Sequence, residues 1–178
     1  VVCAQRTDTH ETARRLVRLR RLYEIGLLLL IAQFLLGMAV NIWVSIPAHH
    51  IGTDAHNYFV GLIFGIGYAS AQAPLILQLH VAIAVLLFTQ AIIAAVWTMR
   101  SRDGRLSASA WISLIGIIGA GFNGGNFVNG LHPNLSSYLM SVAFAVTAVS
   151  DVLAWGRTRF LLGALSQTTD TAGGNCRN

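Results

Sequence analysis

The chain has 178 residues, of which 54% are hydrophobic and only 11% charged, with a mean hydropathy of +0.61 and a net charge of +5. So little charge on so much apolar sequence excludes an ordinary water-soluble domain. The positive charge does not point to nucleic acid either, because all 12 basic residues are arginines confined to three segments that bracket apolar stretches.

A helix needs about 20 mostly apolar residues to cross a hydrocarbon core about 30 Å thick. Four stretches meet that need, roughly 22–45, 75–99, 108–130 and 135–156. The expected fold class is therefore an all-α integral membrane protein, a four-transmembrane-helix bundle.

Residues 1–21 form a basic arm with Arg6, Arg14, Arg15, Arg18, Arg20 and Arg21. Its spacing predicts a helix running directly into the first span and anchoring at anionic headgroups. Arg100, Arg102 and Arg105 lie between the second and third spans, and Arg157, Arg159 and Arg177 follow the fourth. Four crossings put these three segments on one face, which the positive-inside rule makes cytoplasmic. The expectation is a multi-pass protein of a bacterial-type cytoplasmic membrane with both termini inside (N-in/C-in). Cys3 and Cys176 then sit in cytoplasmic tails, and no disulfide framework is expected. The Leu27–Ile31 run follows the arginines as a leader's apolar region would, but the stretch is too long for one and is expected to stay as a helix.

The loop 46–74 is long and includes the apolar piece Tyr58–Ala69, which is too short to span and is expected to lie at the interface or dip back against the bundle. The third span carries Gly116, Gly119, Gly121, Gly124 and Gly125, which permit close helix packing or leave room for a flat ligand. Asn123, Asn126 and Asn129 follow at three-residue spacing, near one face. Residues 157–178 read as a flexible tail, Thr-, Gly- and Ser-rich after about Leu165.

Five of six histidines, His49, His50, His56, His80 and His132, fall in the outward loops or the outward half of the bundle. His80 stands in an apolar helical setting, where an ionisable side chain is costly and faces the bundle interior. There it either bonds a neighbouring helix, through Asn41 or Asn126, or ligates iron through one ring nitrogen while the other is hydrogen-bonded. A weak duplication pairs Val81-Ala-Ile-Ala-Val85 with Val142-Ala-Phe-Ala-Val146, so the chain reads as two helical hairpins around a central site.

Through Pro47-Ala-His-His50 and Gln78-Leu-His80 the chain resembles small four-helix b-type membrane cytochromes, including one half of the haem A synthase family. That family has a glutamate one turn from its haem-binding histidine; Ile76 stands in that place here. The resemblance implies haem b with His80 as an axial ligand. For a second ligand, Met140 lies at a depth similar to that of His80, and His132, just before Pro133, is the other candidate. A haem held by His80 alone would leave iron open to a gas or a reductant.

A separate metal centre outside the membrane would use His49, His50 and His56 with Asp54 or His132. Asp151, near the cytoplasmic end of the fourth span, is expected to form an ion pair with Arg100, Arg102 or Arg157, while Gln33 and Gln90 read as interhelical bonds. No nucleophilic triad, phosphate loop or paired intramembrane carboxylates occur. The functional expectation is electron transfer or redox and gas sensing, with the lipid bilayer, other membrane subunits or a second copy, and a quinol as partners. A cofactor-free accessory subunit of a larger membrane complex is the alternative; a small carrier or channel ranks below both, because the spans hold few polar residues.

Overall fold

The computed structural model describes residues 2–47, 49, 57–99, 101, 103–129 and 133–174. Five helices occur among them: α1 (Val2–Trp43), α2 (Tyr58–Ala71), α3 (Leu75–Met99), α4 (Gly104–Val128) and α5 (Pro133–Gly174). Candidate spans lie within all but α2, at Glu11–Trp43, Leu75–Met99, Gly104–Val128 and Asn134–Gln167. Their surface is apolar, with Leu28 68% and Trp43 72% exposed, a pattern that suits lipid and not water. The chain is an all-α multi-pass membrane protein built as a four-helix bundle.

Sequence chemistry fixes the helix starts. Asp103 caps α4, its carboxylate accepting the Leu106 amide at 2.9 Å, and Asn57 caps α2 by accepting the Phe59 amide at 2.9 Å. Pro133 opens α5 at the position where its missing N–H costs nothing.

On α1 the residues Leu16, Leu19, Tyr23, Gly26, Leu30, Gln33, Gly37 and Val40 alternate in steps of three and four. The apolar side chains of this series and Tyr23 are buried, so a heptad seam faces the bundle. Ile25, Leu28, Leu35 and Ile42 form the opposite, exposed stripe. Around the bundle α1 packs on α3 and α5, and α4 packs on α3 and α5. Thus α1 lies diagonal to α4, and α3 to α5. The short α2 packs on α3 and α4 with Leu62 against Gly125, so the segment expected at the interface does fold back on the bundle.

At 42 residues each, α1 and α5 run about 63 Å, twice the hydrocarbon thickness, while α3 and α4 at 25 residues run about 38 Å. The basic arm does continue as helix into the first span. Helix α5 also continues to Gly174, through a stretch that the sequence assigns to a flexible tail. The reason is packing: Leu161, Leu162 and Leu165 lie against the cluster that contains Leu16 and Leu19. Beyond the ends of α3 and α4, α1 and α5 therefore cover each other's apolar stripes.

Candidate functional site

His80 projects from α3 toward the seam of α1. Its Nε2 lies 3.1 Å from the Gln33 Nε2, a hydrogen bond between helices 47 residues apart in sequence. As oriented, the Gln33 amide donates to Nε2, which places the ring proton on Nδ1. Rotating the amide reverses the roles, with Gln33 Oε1 accepting from Nε2–H and Nδ1 left with a lone pair. In both cases Nδ1 is buried without a protein partner, as is Gln33 Oε1 in the first. The ring fits because position 37 is glycine: a Cβ built there would stand 3.1 Å from His80 Cε1, closer than ordinary contact.

The interhelical partner of His80 is thus Gln33, not Asn41, which is exposed, or Asn126, whose Oδ1 is buried and unpartnered. Gln33 is an interhelical bond, as its isolation in an apolar span implied. The α1 heptad carries the signal that singles it out, since Gln33 and Gly37 fall on inward positions one turn apart.

Met140 is half-buried on α5 and faces α4, where a Cβ on Gly124 would lie 3.7 Å from its sulfur. His80 starts about 7.5 Å into α3 and Met140 about 10.5 Å into α5, so both stand in the half of the bundle that α2 covers. They occupy diagonal helices, His80 in the α1–α3 interface and Met140 in the α4–α5 interface. His132, the other candidate ligand, lies outside the described residues, as do His50, Asp54 and His56; His49 is exposed. Among the described residues no group of three or more His, Cys, Asp or Glu side chains gathers to hold a metal.

The three asparagines diverge. Asn123 donates to the Gly119 carbonyl of its own helix at 2.8 Å, and Asn129 sits beside Gly65 of α2 with its Oδ1 buried and unpartnered. No family model, curated protein or solved structure matches the chain.

Of the partners expected for Asp151, Arg100 and Arg102 lie outside the described residues. Arg157 instead binds Asp103, its Nε and Nη2 both donating to Oδ2 at 2.9 and 2.7 Å. This pair holds the Asp103 carboxyl below the ordinary carboxylate range. Asp151 turns inward and is buried.

An open apolar groove of about 260 Å³ runs along the lipid-facing side of α4 and α5, with Gly116 and Gly119 at its base. Neither His80 nor Met140 lines it.

Proposed function

We propose that the chain is a membrane-embedded haem-binding protein acting in electron transfer, with His80 as an axial ligand. One observation carries this reading: a half-buried imidazole in an apolar span, with one ring nitrogen held by a second helix and the other buried without a protein partner. With the Gln33 amide rotated so that its Oε1 accepts from Nε2–H, Nδ1 has the lone pair of a metal-ligating histidine, whose second nitrogen donates the hydrogen bond that fixes the tautomer. The glycines add to it. Gly37 beside His80 and Gly124 beside Met140 leave out side-chain bulk next to both candidate ligands, on the two helices that flank them.

Haem b, when bound, supplies a one-electron couple. The residues' part is to orient and to insulate. Gln33 fixes the His80 ring, Met140 is the first candidate for the sixth position, and α2 covers α3 and α4 at this end and screens it from water. With the arginine-bearing end in the cytoplasm, electrons would pass between a quinol or a partner subunit and an acceptor on the other side. With Met140 not ligating, an open sixth position would make the protein a gas or redox sensor.

The test is a visible spectrum of the detergent-purified protein, oxidised and dithionite-reduced, with a pyridine haemochrome assay. A Soret band and sharpened reduced α and β bands in the wild type, both lost in inserted His80→Ala, are the expected result. A colourless protein that takes up no added haem overturns the reading. It would favour the accessory subunit, for which the α4–α5 groove offers a place to pack against another chain.

A further inference from the structure

The lipid-facing seam between α1 and α5 carries, at its arginine end, a charged cluster separate from the His80 site. Glu24 Oε1 accepts from the Trp155 indole at 3.1 Å, a bond between helices 131 residues apart in sequence, and the same oxygen lies 3.2 Å from Arg20 Nε. The Arg159 guanidinium stands 4.9 Å from the centroid of the Trp155 ring. One carboxylate oxygen and one indole thus join two arginines across the seam. Their level follows from helix geometry. Arg157 binds Asp103, which caps α4 where the chain enters the bundle, and Arg159 is two residues, about 3 Å, further out along α5. The cluster therefore lies where the apolar spans end, at headgroup depth.

The charge of this cluster is not balanced by other side chains. Glu24 offsets one of the two arginines, and none of the other six acidic residues of the sequence reaches them. Asp103 binds Arg157, and Glu11 binds Arg15. Asp151 is buried inside the bundle, eight residues or about 12 Å from Arg159 along α5. Asp8 is 12 residues from Arg20 along α1 and Asp170 is 11 residues from Arg159 along α5, each at least about 16 Å away. Asp54 belongs to the segment before α2, at the opposite end of α1. Among the described residues, the Arg20 Nη groups and the whole Arg159 fork have no hydrogen-bond partner. One net positive charge remains, with donors free to take an anion.

The surroundings decide which anion. Toward the bilayer centre the same seam turns apolar: Ile31, one heptad from Glu24, and Val152, three residues from Trp155, are exposed, and Phe34 meets Phe144 across the seam with ring centroids 5.2 Å apart. A cationic end that continues into about 15 Å of exposed apolar seam matches a molecule with an anionic head and hydrocarbon chains, whereas a soluble phosphate would use the head end alone. Arginine forks suit phosphate oxygens, and a zwitterionic headgroup brings a cation of its own that the two arginines repel. We propose that Arg20 and Arg159, with Trp155 between them, hold the phosphate of one anionic phospholipid of the arginine-side leaflet, its chains lying along the α1–α5 seam. This is a discrete site built by two helices, beyond the general attraction of the basic arm for headgroups, and it does not depend on the haem reading.

The experiment uses the full chain with Trp155 as its sole tryptophan, through Trp43→Phe, Trp97→Phe and Trp111→Phe, in vesicles of phosphatidylcholine and phosphatidylglycerol in which one lipid or the other carries brominated chains. Contact quenching of Trp155 reads which lipid occupies the seam. Phosphatidylglycerol should be enriched there about five-fold over its share of the bilayer, the factor that one net charge at the surface supplies. Arg159→Gln should bring the enrichment close to one, Arg159→Lys should keep most of it, and Arg105→Gln, at the exposed start of α4, should leave it unchanged. Absence of enrichment in the parent protein overturns the proposal, as does full enrichment in Arg159→Gln. Equal losses in Arg105→Gln and Arg159→Gln also overturn it and assign the effect to the basic surface as a whole, and loss on adding inorganic phosphate assigns the arginines to a free anion instead. Should Arg159→Gln fail to insert as a helical protein, Arg20→Gln decides in its place, and full enrichment in that variant overturns the site.

Discussion

The two halves of the bundle bury polar groups of opposite character. Under α2 the buried polar atoms belong to an imidazole and amides, and the orphaned atom that matters is a ring nitrogen of His80. Toward the arginines there is a buried carboxylate, Asp151, while other charges of this half pair: Asp103 with Arg157, and Glu24 with Arg20, the Glu24 carboxylate also accepting from the Trp155 indole at 3.1 Å. The apolar residues Leu30 and Leu87 are buried between these levels. One scaffold thus buries a ring nitrogen at one level and a carboxylate at another, with an apolar layer between them.

The largest expected effect tests that separation. His80→Ala should lose essentially all bound haem, while Asp151→Asn should keep the wild-type haem content, both read by the pyridine haemochrome assay on inserted protein. Loss of haem in both variants would mean that the halves act as one unit and would break the comparison.

Much of the fold was legible in sequence because lipid imposes length and hydropathy on a span, and the arginines mark the ends. The inward position of His80 was legible for the same reason. Its partner was missed because the α1 seam is a matter of angular register: Asn41 falls off the heptad that Gln33 occupies. Among the partners expected for Asp151, Arg157 was suggested by proximity along the chain and binds Asp103 instead. The competing claim of Asp103, 54 residues away, depends on how α4 and α5 meet and has no local signature. The helicity beyond residue 156 was missed because Leu161, Leu162 and Leu165 are too few to signal a helix until Leu16 and Leu19 supply their partner surface.

Packing sharpens the comparison next. Leucine at Gly26 would overlap the Gln90 amide in the close-packed half and should cost about 1–3 kcal/mol. Leucine at Gly67, which faces open space, should cost little of that, both being read by thermal unfolding in detergent. A smaller loss, about 1 kcal/mol, is expected for Asp103→Ala, which removes the α4 cap along with the Arg157 pair. The pH dependence follows from the lowered Asp103 pKa. Its stabilisation is fully present above the ordinary carboxylate range and is lost as pH falls through the lower value of the folded state. Wild-type unfolding temperature should therefore drop in acid more steeply than that of Asp103→Asn. Parallel curves would assign the acid loss to other groups.

Met140→Leu should perturb stability little and still be the most informative about the site. The two side chains have similar volumes, so the swap should cost less than about 1.5 kcal/mol, and Gly124 leaves the neighbouring surface open to either. Leucine has no lone pair to give to iron. If the Met140 thioether ligates the haem, the variant keeps the cofactor through His80 but loses the sixth ligand, so the reduced α band broadens and the iron becomes open to carbon monoxide. If it only fills space, spectrum and carbon monoxide reactivity both stay as in the wild type, and the sixth position belongs to another residue or to none. Because His80 and Met140 stand on diagonal helices, the first outcome also requires haem to cross the bundle between α1 and α4, where Gln33 Oε1 and Asn126 Oδ1 lack protein partners. Substituting either amide should then shift the Soret band, an effect that a haem confined to the α1–α3 interface would show for Gln33 alone.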